Sequence, residues 1–151
     1  MAMTASELLA RAGAAGAVTE VRPELCWAAL ERAGLGRLAV QGDGLVDIFP
    51  VNFVVDGTVI YLRTAPGSKL SALVARPQVA LEIDAVDDRS AYSVVVKGRA
   101  ELLESPSEID TAETLPLTPW IPSRKLRWVR IRASEVTGRA FRMGTEPNSY
   151  P

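Results

Sequence analysis

The 151-residue sequence predicts a mainly β fold: a small six-stranded antiparallel barrel with short helices packed outside it. Three observations lead there. Runs rich in β-branched and aromatic residues, 36–41, 45–55 and 58–64, are separated by "GDG" and "DG", the turn chemistry of consecutive hairpins. Further runs of the same kind, "QVALEIDAV", "SAYSVVVKGRAELLE" and "LRWVRIRASEVTGRAF", follow without the regular strand and helix alternation of a parallel sheet. With about half of the chain read as strand, above the usual globular share, a closed barrel that removes exposed edges is favoured over an open sheet.

In chain order, "TASELLARAGA" (4–14) reads as a short helix capped by Thr4 or Ser6, followed by a flexible Gly and Ala stretch. From Pro23 to Ala33, residues Cys26, Ala29, Leu30 and Ala33 recur at helical spacing. Pro23 is tolerated in the first turn and Gly34 ends the run, so this is an amphipathic packing helix. Three strands follow, and Pro50 inside the second predicts an irregular, accessible stretch there, because proline donates no ladder hydrogen bond. In "GSKLSALVA", Leu70, Leu73 and Val74 stand at i, i+3 and i+4, a short helix that Pro77 stops. The strand over 90–104 is long enough to bend, and Gly98 is the natural place. "SPSEIDTAETL" reads as a helix starting at Ser105 or Ser107, and "LPLTPWIPS" as an extended, proline-broken segment. The final alternation sets Leu126, Trp128 and either Val129 or Ile131 toward the core and closes the sheet. The length is that of one domain over 1–151.

Composition narrows the function. Apolar residues make up 48% and charged residues 23%, which is globular rather than disordered composition. With 17 basic and 18 acidic residues the net charge is −1, so no long-range positive field is available to collect nucleic acid or an anionic membrane. No apolar stretch approaches the ~20 residues that span a bilayer, and the start lacks a secretory pattern, so a cytoplasmic location is expected. Histidine is absent, which removes the commonest metal ligand and general base together with every Ser-His and Cys-His arrangement. The single cysteine, Cys26, falls on an apolar helical face and reads as a buried structural thiol. Asp47, Asp84, Asp87 and Asp88 flank turns and read as solvated rather than catalytic.

One junction stands apart. In "RTAPGSKLSAL" (63–73), Arg63 and Thr64 end a strand, Pro66 and Gly67 turn the chain, and Ser68 and Lys69 open a helix. A lysine in a first helical turn opposes the helix dipole. Free N–H groups, two hydroxyls and two cations within seven residues can hold a phosphate. The same spacing also suits a capped, solvated turn.

"GRLAV" (36–40), "DIFPVNFVVDG" (47–57), "IYLRTAPGSKLSAL" (60–73) and "YSVVVKGRAELL" (92–103), in that order, resemble the pyridoxamine 5'-phosphate oxidase-like FMN-binding split-barrel family. The resemblance covers about residues 23–142 and includes "PWIPSRKLRWVRIRASEVTGR". It implies a homodimer of six-stranded split barrels that binds two flavins in clefts between the subunits. It also implies that Arg63, Thr64, Ser68 and Lys69, with Leu70 beside them, hold the FMN phosphate, and that Pro50, Val51, Asn52 and Phe53 run along the isoalloxazine ring. Asn52 then either faces the cleft or serves a turn or ladder edge. Trp120 resembles a position that closes the partner's cleft, as a stacking ring or as a plain interface aromatic. Ser93 to Val96 either line the ring or are barrel core, with core favoured.

A chain without histidine does not match the pattern of the pyridoxamine phosphate oxidases proper. It is closer to small flavin or deazaflavin oxidoreductases and to nitroimidazole-resistance-like proteins, many of which carry a histidine near the position of Arg63. The implied function is an FMN-dependent oxidoreductase acting on a small molecule. The alternatives are a deazaflavin-dependent reductase, with Arg124, Lys125 and Arg127 meeting the coenzyme's acidic tail, and a non-enzymatic flavin-binding or storage protein. Haem is disfavoured by the missing axial histidine.

Overall fold

The computed structural model describes residues 1–13, 16–118 and 126–144. The chain runs α1 (Ala5–Arg11), β1 (Val18–Val21), α2 (Pro23–Ala33), β2 (Leu35–Gln41), β3 (Val46–Asn52) and β4 (Val54–Asp56). It continues with β5 (Val59–Thr64), α3 (Ser68–Ala75), β6 (Gln78–Val86), β7 (Ser90–Leu102), α4 (Pro106–Glu113) and β8 (Arg127–Arg142). All strand pairs are antiparallel. The sheet order is β3-β2-β6-β7-β8-β5-β4, with β1 added to β8. β3 and β4 are neighbours in sequence, so the two ends of the sheet are halves of one run and the sheet curls back on itself as a split barrel.

The six expected strands are present, with two differences. The strand over 45–55 divides into β3 and β4 at Phe53, and β1 is a further strand just after the Gly and Ala stretch, where the sequence predicts none. Pro50 does not interrupt its strand. It stays in register opposite Arg37, because β3 pairs with β2 on one side only and an edge strand tolerates a missing donor. The break falls at Phe53, whose N–H donates to the Gly34 carbonyl at 3.1 Å.

Alternation builds the interior. Tyr92, Val94 and Val96 of β7, Leu38 and Val40 of β2, Leu81 and Ile83 of β6, Ile60 and Leu62 of β5, and Val129 and Ile131 of β8 are buried together. Each such aliphatic side chain contributes ~1.5–3 kcal/mol on burial. The bend in β7 comes where expected, with a register shift between Lys97 and Gly98. A Cβ on Gly98 would stand 2.4 Å from the Arg132 carbonyl oxygen, so the close approach of β8 requires the missing side chain. Trp128 differs from expectation. It lies opposite Arg63 on the other face from Val129 and forms a second buried cluster with Leu103 and Ala112 under α4.

The helices seal the barrel. α1, capped by Thr4, buries Ala5 and Leu8, while α2 buries Leu25, Cys26, Ala29 and Leu30 and ends at Gly34. α3 buries Leu73 with Leu70 packed against the core, whereas Val74, expected on the same face, is exposed. Asp87 is not a free solvated carboxylate. It accepts from the Ser6 amide at 2.9 Å and the Ser6 hydroxyl at 2.6 Å, which ties α1 to the β6–β7 turn. Asp84 is likewise engaged, with Arg37 at 3.2 Å.

Candidate functional site

β5 delivers Arg63 and Thr64 to the start of α3 through a turn that ends at Gly67. Gly67 has φ +155°, a backbone conformation that L side chains rarely adopt. No side chain caps the N-terminus of α3, and its first turn holds no acidic residue. The usual ways of meeting free amides at a helix start are therefore missing, and a lysine stands among them.

Two cations flank this junction, each on an aromatic ring. Lys69 Nζ lies 4.9 Å from the Phe49 ring centroid, and burial pushes its pKa below the ordinary lysine value. Arg63 Cζ lies 5.2 Å from the Trp128 ring centroid, and Arg63 Nε is buried without a hydrogen-bond partner. The Trp128 indole is itself held, its Nε1 donating to Glu113 Oε1 at 2.8 Å. Among the described residues neither cation forms an ion pair, although Arg37, Arg76 and Arg130 all do. Leaving a partly buried cation unpaired is costly, and Lys69 at an uncapped helix start makes a site suited to an anion.

The four residues expected around the phosphate are not all presented the same way. Ser68 and Lys69 line a cavity of about 600 Å³ with Gln41, Asp47, Phe49 and Arg76. Strand alternation turns Thr64 and Arg63 to opposite faces: Thr64 is buried and its hydroxyl donates to the Ala65 carbonyl at 3.4 Å, while Arg63 faces α4. Leu70 is half-buried against the core. Along β3 and at the break that follows it, Val51 and Phe53 are buried, whereas Pro50 is exposed and Asn52 half-buried. Asn52 Nδ2 donates to the Gly34 carbonyl at 3.5 Å. Pro50 also lines a smaller cavity of about 240 Å³ with Gly36, Arg37 and Asp84. Trp120, Arg124 and Lys125 lie outside the described residues.

Sequence reasoning missed Phe49, Trp128 and Glu113. Phe49 sits in a motif already singled out, but nothing local pairs it with Lys69. Trp128 is register-paired to Arg63 across β5 and β8, a relation visible only once the strands are aligned.

The unpaired cations suit a phosphate group, and edge strand β3 offers exposed backbone beside them.

The strand order and the curl of the sheet define the split-barrel class of fold. Within it, residues 22–140 match the pattern of the pyridoxamine 5'-phosphate oxidase family, and the chain belongs to that family. The crystal structure of a candidate pyridoxamine 5'-phosphate oxidase from Corynebacterium glutamicum is 40% identical and covers 88% of this chain and 100% of that one, with a TM-score of 0.76. A FAD-binding protein from Mycobacterium smegmatis is 35% identical over 83% of this chain and 100% of its own, with a TM-score of 0.73. An uncharacterized protein of Mycobacterium tuberculosis is 40% identical over 95 residues, 63% of this chain and 86% of that protein. Among the described residues no helix is long and apolar enough to cross a membrane.

Proposed function

We propose that the chain is an FMN-binding oxidoreductase acting on a small molecule, working as a cytoplasmic homodimer of one-domain subunits with a cofactor cleft at each side of the interface. The observation that carries this reading is the unpaired Lys69 at the uncapped start of α3, together with the unpaired Arg63 near the end of the strand that leads into it. A flavin supplies hydride or electron transfer when bound. The chain's part is to hold and orient it. Lys69, Ser68 and the first amides of α3 bind the phosphate, Arg63 approaches it from the α4 side, and Thr64 supports the turn from beneath. Pro50 and Asn52 present the β3 edge to the ring, while the buried Val51 and Phe53 keep that edge rigid and exclude water behind it. The dimer is supported by the exposed apolar residues of the β2–β3 hairpin, where Leu45, Val46 and Ile48 are 73%, 68% and 67% exposed. Exposed apolar side chains that cluster on one element commonly mark an interaction surface.

Mass spectrometry of the molecule that copurifies with the full chain is expected to return FMN. Arg63→Ala combined with Lys69→Ala should weaken FMN binding at least ~10-fold, since each charge-assisted bond contributes ~1.5–3 kcal/mol. Recovery of FAD or a deazaflavin would keep the phosphate site and change the cofactor. Unchanged affinity in the double variant would place the anion elsewhere.

A further inference from the structure

We infer that Trp128 and Glu113 are positioning residues that set the guanidinium of Arg63 for an anionic group of the ligand; this rests on the phosphate reading of the site. Arg63 is half-buried, and among the described residues it makes no hydrogen bond with any of its donors. Among the described residues its side chain has one such partner, the indole of Trp128, with Arg63 Cζ 5.2 Å from the ring centroid. A guanidinium stacked on a ring keeps its in-plane N–H groups free, because the attraction acts through its face. The stack therefore orients the guanidinium while leaving its terminal N–H groups available for an anion.

The indole cannot turn away. It is 4% exposed, packed against Leu103 and Ala112, and its N–H is taken by Glu113 at 2.8 Å. Glu113 is the last residue of α4, so the helix reaches the ligand through a chain of three side chains. A structural purpose for the Trp128–Glu113 bond does not explain why a cation with an orphaned Nε is stacked on the same ring. Nearby Arg130, from the same strand, is saturated by Glu101 and Glu108, both at 2.8 Å. Carboxylates are within reach of this face, yet Arg63 is kept clear of them.

The test compares FMN with riboflavin, which lacks only the phosphate, by flavin-fluorescence titration of flavin-free full chain. The wild type should prefer FMN. Glu113→Ala, at an exposed position, and Trp128→Phe, which keeps an apolar ring in the cluster, should each reduce that preference about 3-fold to 10-fold, the range a partly desolvated cation–π contact spans. Riboflavin affinity should not move, and Arg63→Ala should cost either variant less than it costs the wild type. A purely structural role would lower both affinities together, which overturns the inference. So would an unchanged FMN preference in both variants, or an Arg63→Ala effect that adds in full. A wild type that binds both flavins alike, or neither, overturns the phosphate reading itself and this inference with it.

Discussion

Cys26 and Gly138 meet where α2 crosses β8. The thiol is fully buried and donates weakly to the Val21 carbonyl at 3.5 Å. Burial pushes its pKa up to about 11, the opposite of what a reactive thiolate needs. A Cβ on Gly138 would stand 2.6 Å from Cys26 Sγ. Gly138→Ala is therefore expected to destabilise the chain by ~1–3 kcal/mol through overpacking. Cys26→Ala should return part of that loss, because residues in contact couple. Urea denaturation of the two single variants and the double variant checks this; additive losses would show that the clash lies with another neighbour. The buried character of Cys26 was readable from helical spacing, but its partner on β8 was not, since 112 positions of chain separate glycine from cysteine and only the closed sheet brings them together.

Among the elements, α1 and the β2–β3 hairpin make separable predictions. Hydrogen bonds from Ser6 and Ser90 hold the Asp87 carboxyl well below the ordinary aspartate value of 3.8. A carboxylate depressed in the folded state adds stability above its unfolded pKa and loses it as pH falls through the folded one. Asp87→Asn should lower stability at neutral pH, and the gap from wild type should close as pH drops below 3.8. Acid titrations followed by circular dichroism read this; a gap that persists unchanged into acid would assign the effect to geometry alone. On the hairpin, Ile48→Lys should convert a dimer to a monomer in light scattering with little change in thermal midpoint, because Ile48 is 67% exposed within one chain. A variant that stays dimeric would locate the interface elsewhere. Element identity was legible wherever period and punctuation agreed, as in α2, whose Pro23 and Gly34 bound it in the sequence and in the structure. β1 was not legible: four residues after a Gly and Ala stretch carry too short a pattern, and what makes them a strand is the free edge of β8.

Across the molecule, the ordered motifs and turn dipeptides disclosed the barrel, and the odd placement of Lys69 disclosed the junction. What stayed hidden is what long-range pairing decides. Arg63 and Thr64, adjacent in sequence, diverge because a strand alternates its faces, and Phe49 becomes a seat for Lys69 through the packing of α3 against the β2–β3 hairpin. β8 carries a consequence of its own. It pairs with β1, β5 and β7, elements spread from residue 18 to residue 102, yet it is made after all of them. A nascent chain emerging at ~5–20 residues per second waits several seconds with three strands lacking their common partner. Until β8 arrives, β1 has nothing to bind and the edge of β5 stays open to other chains. Release of residues 127–142 is thus the event that completes the sheet and closes the barrel.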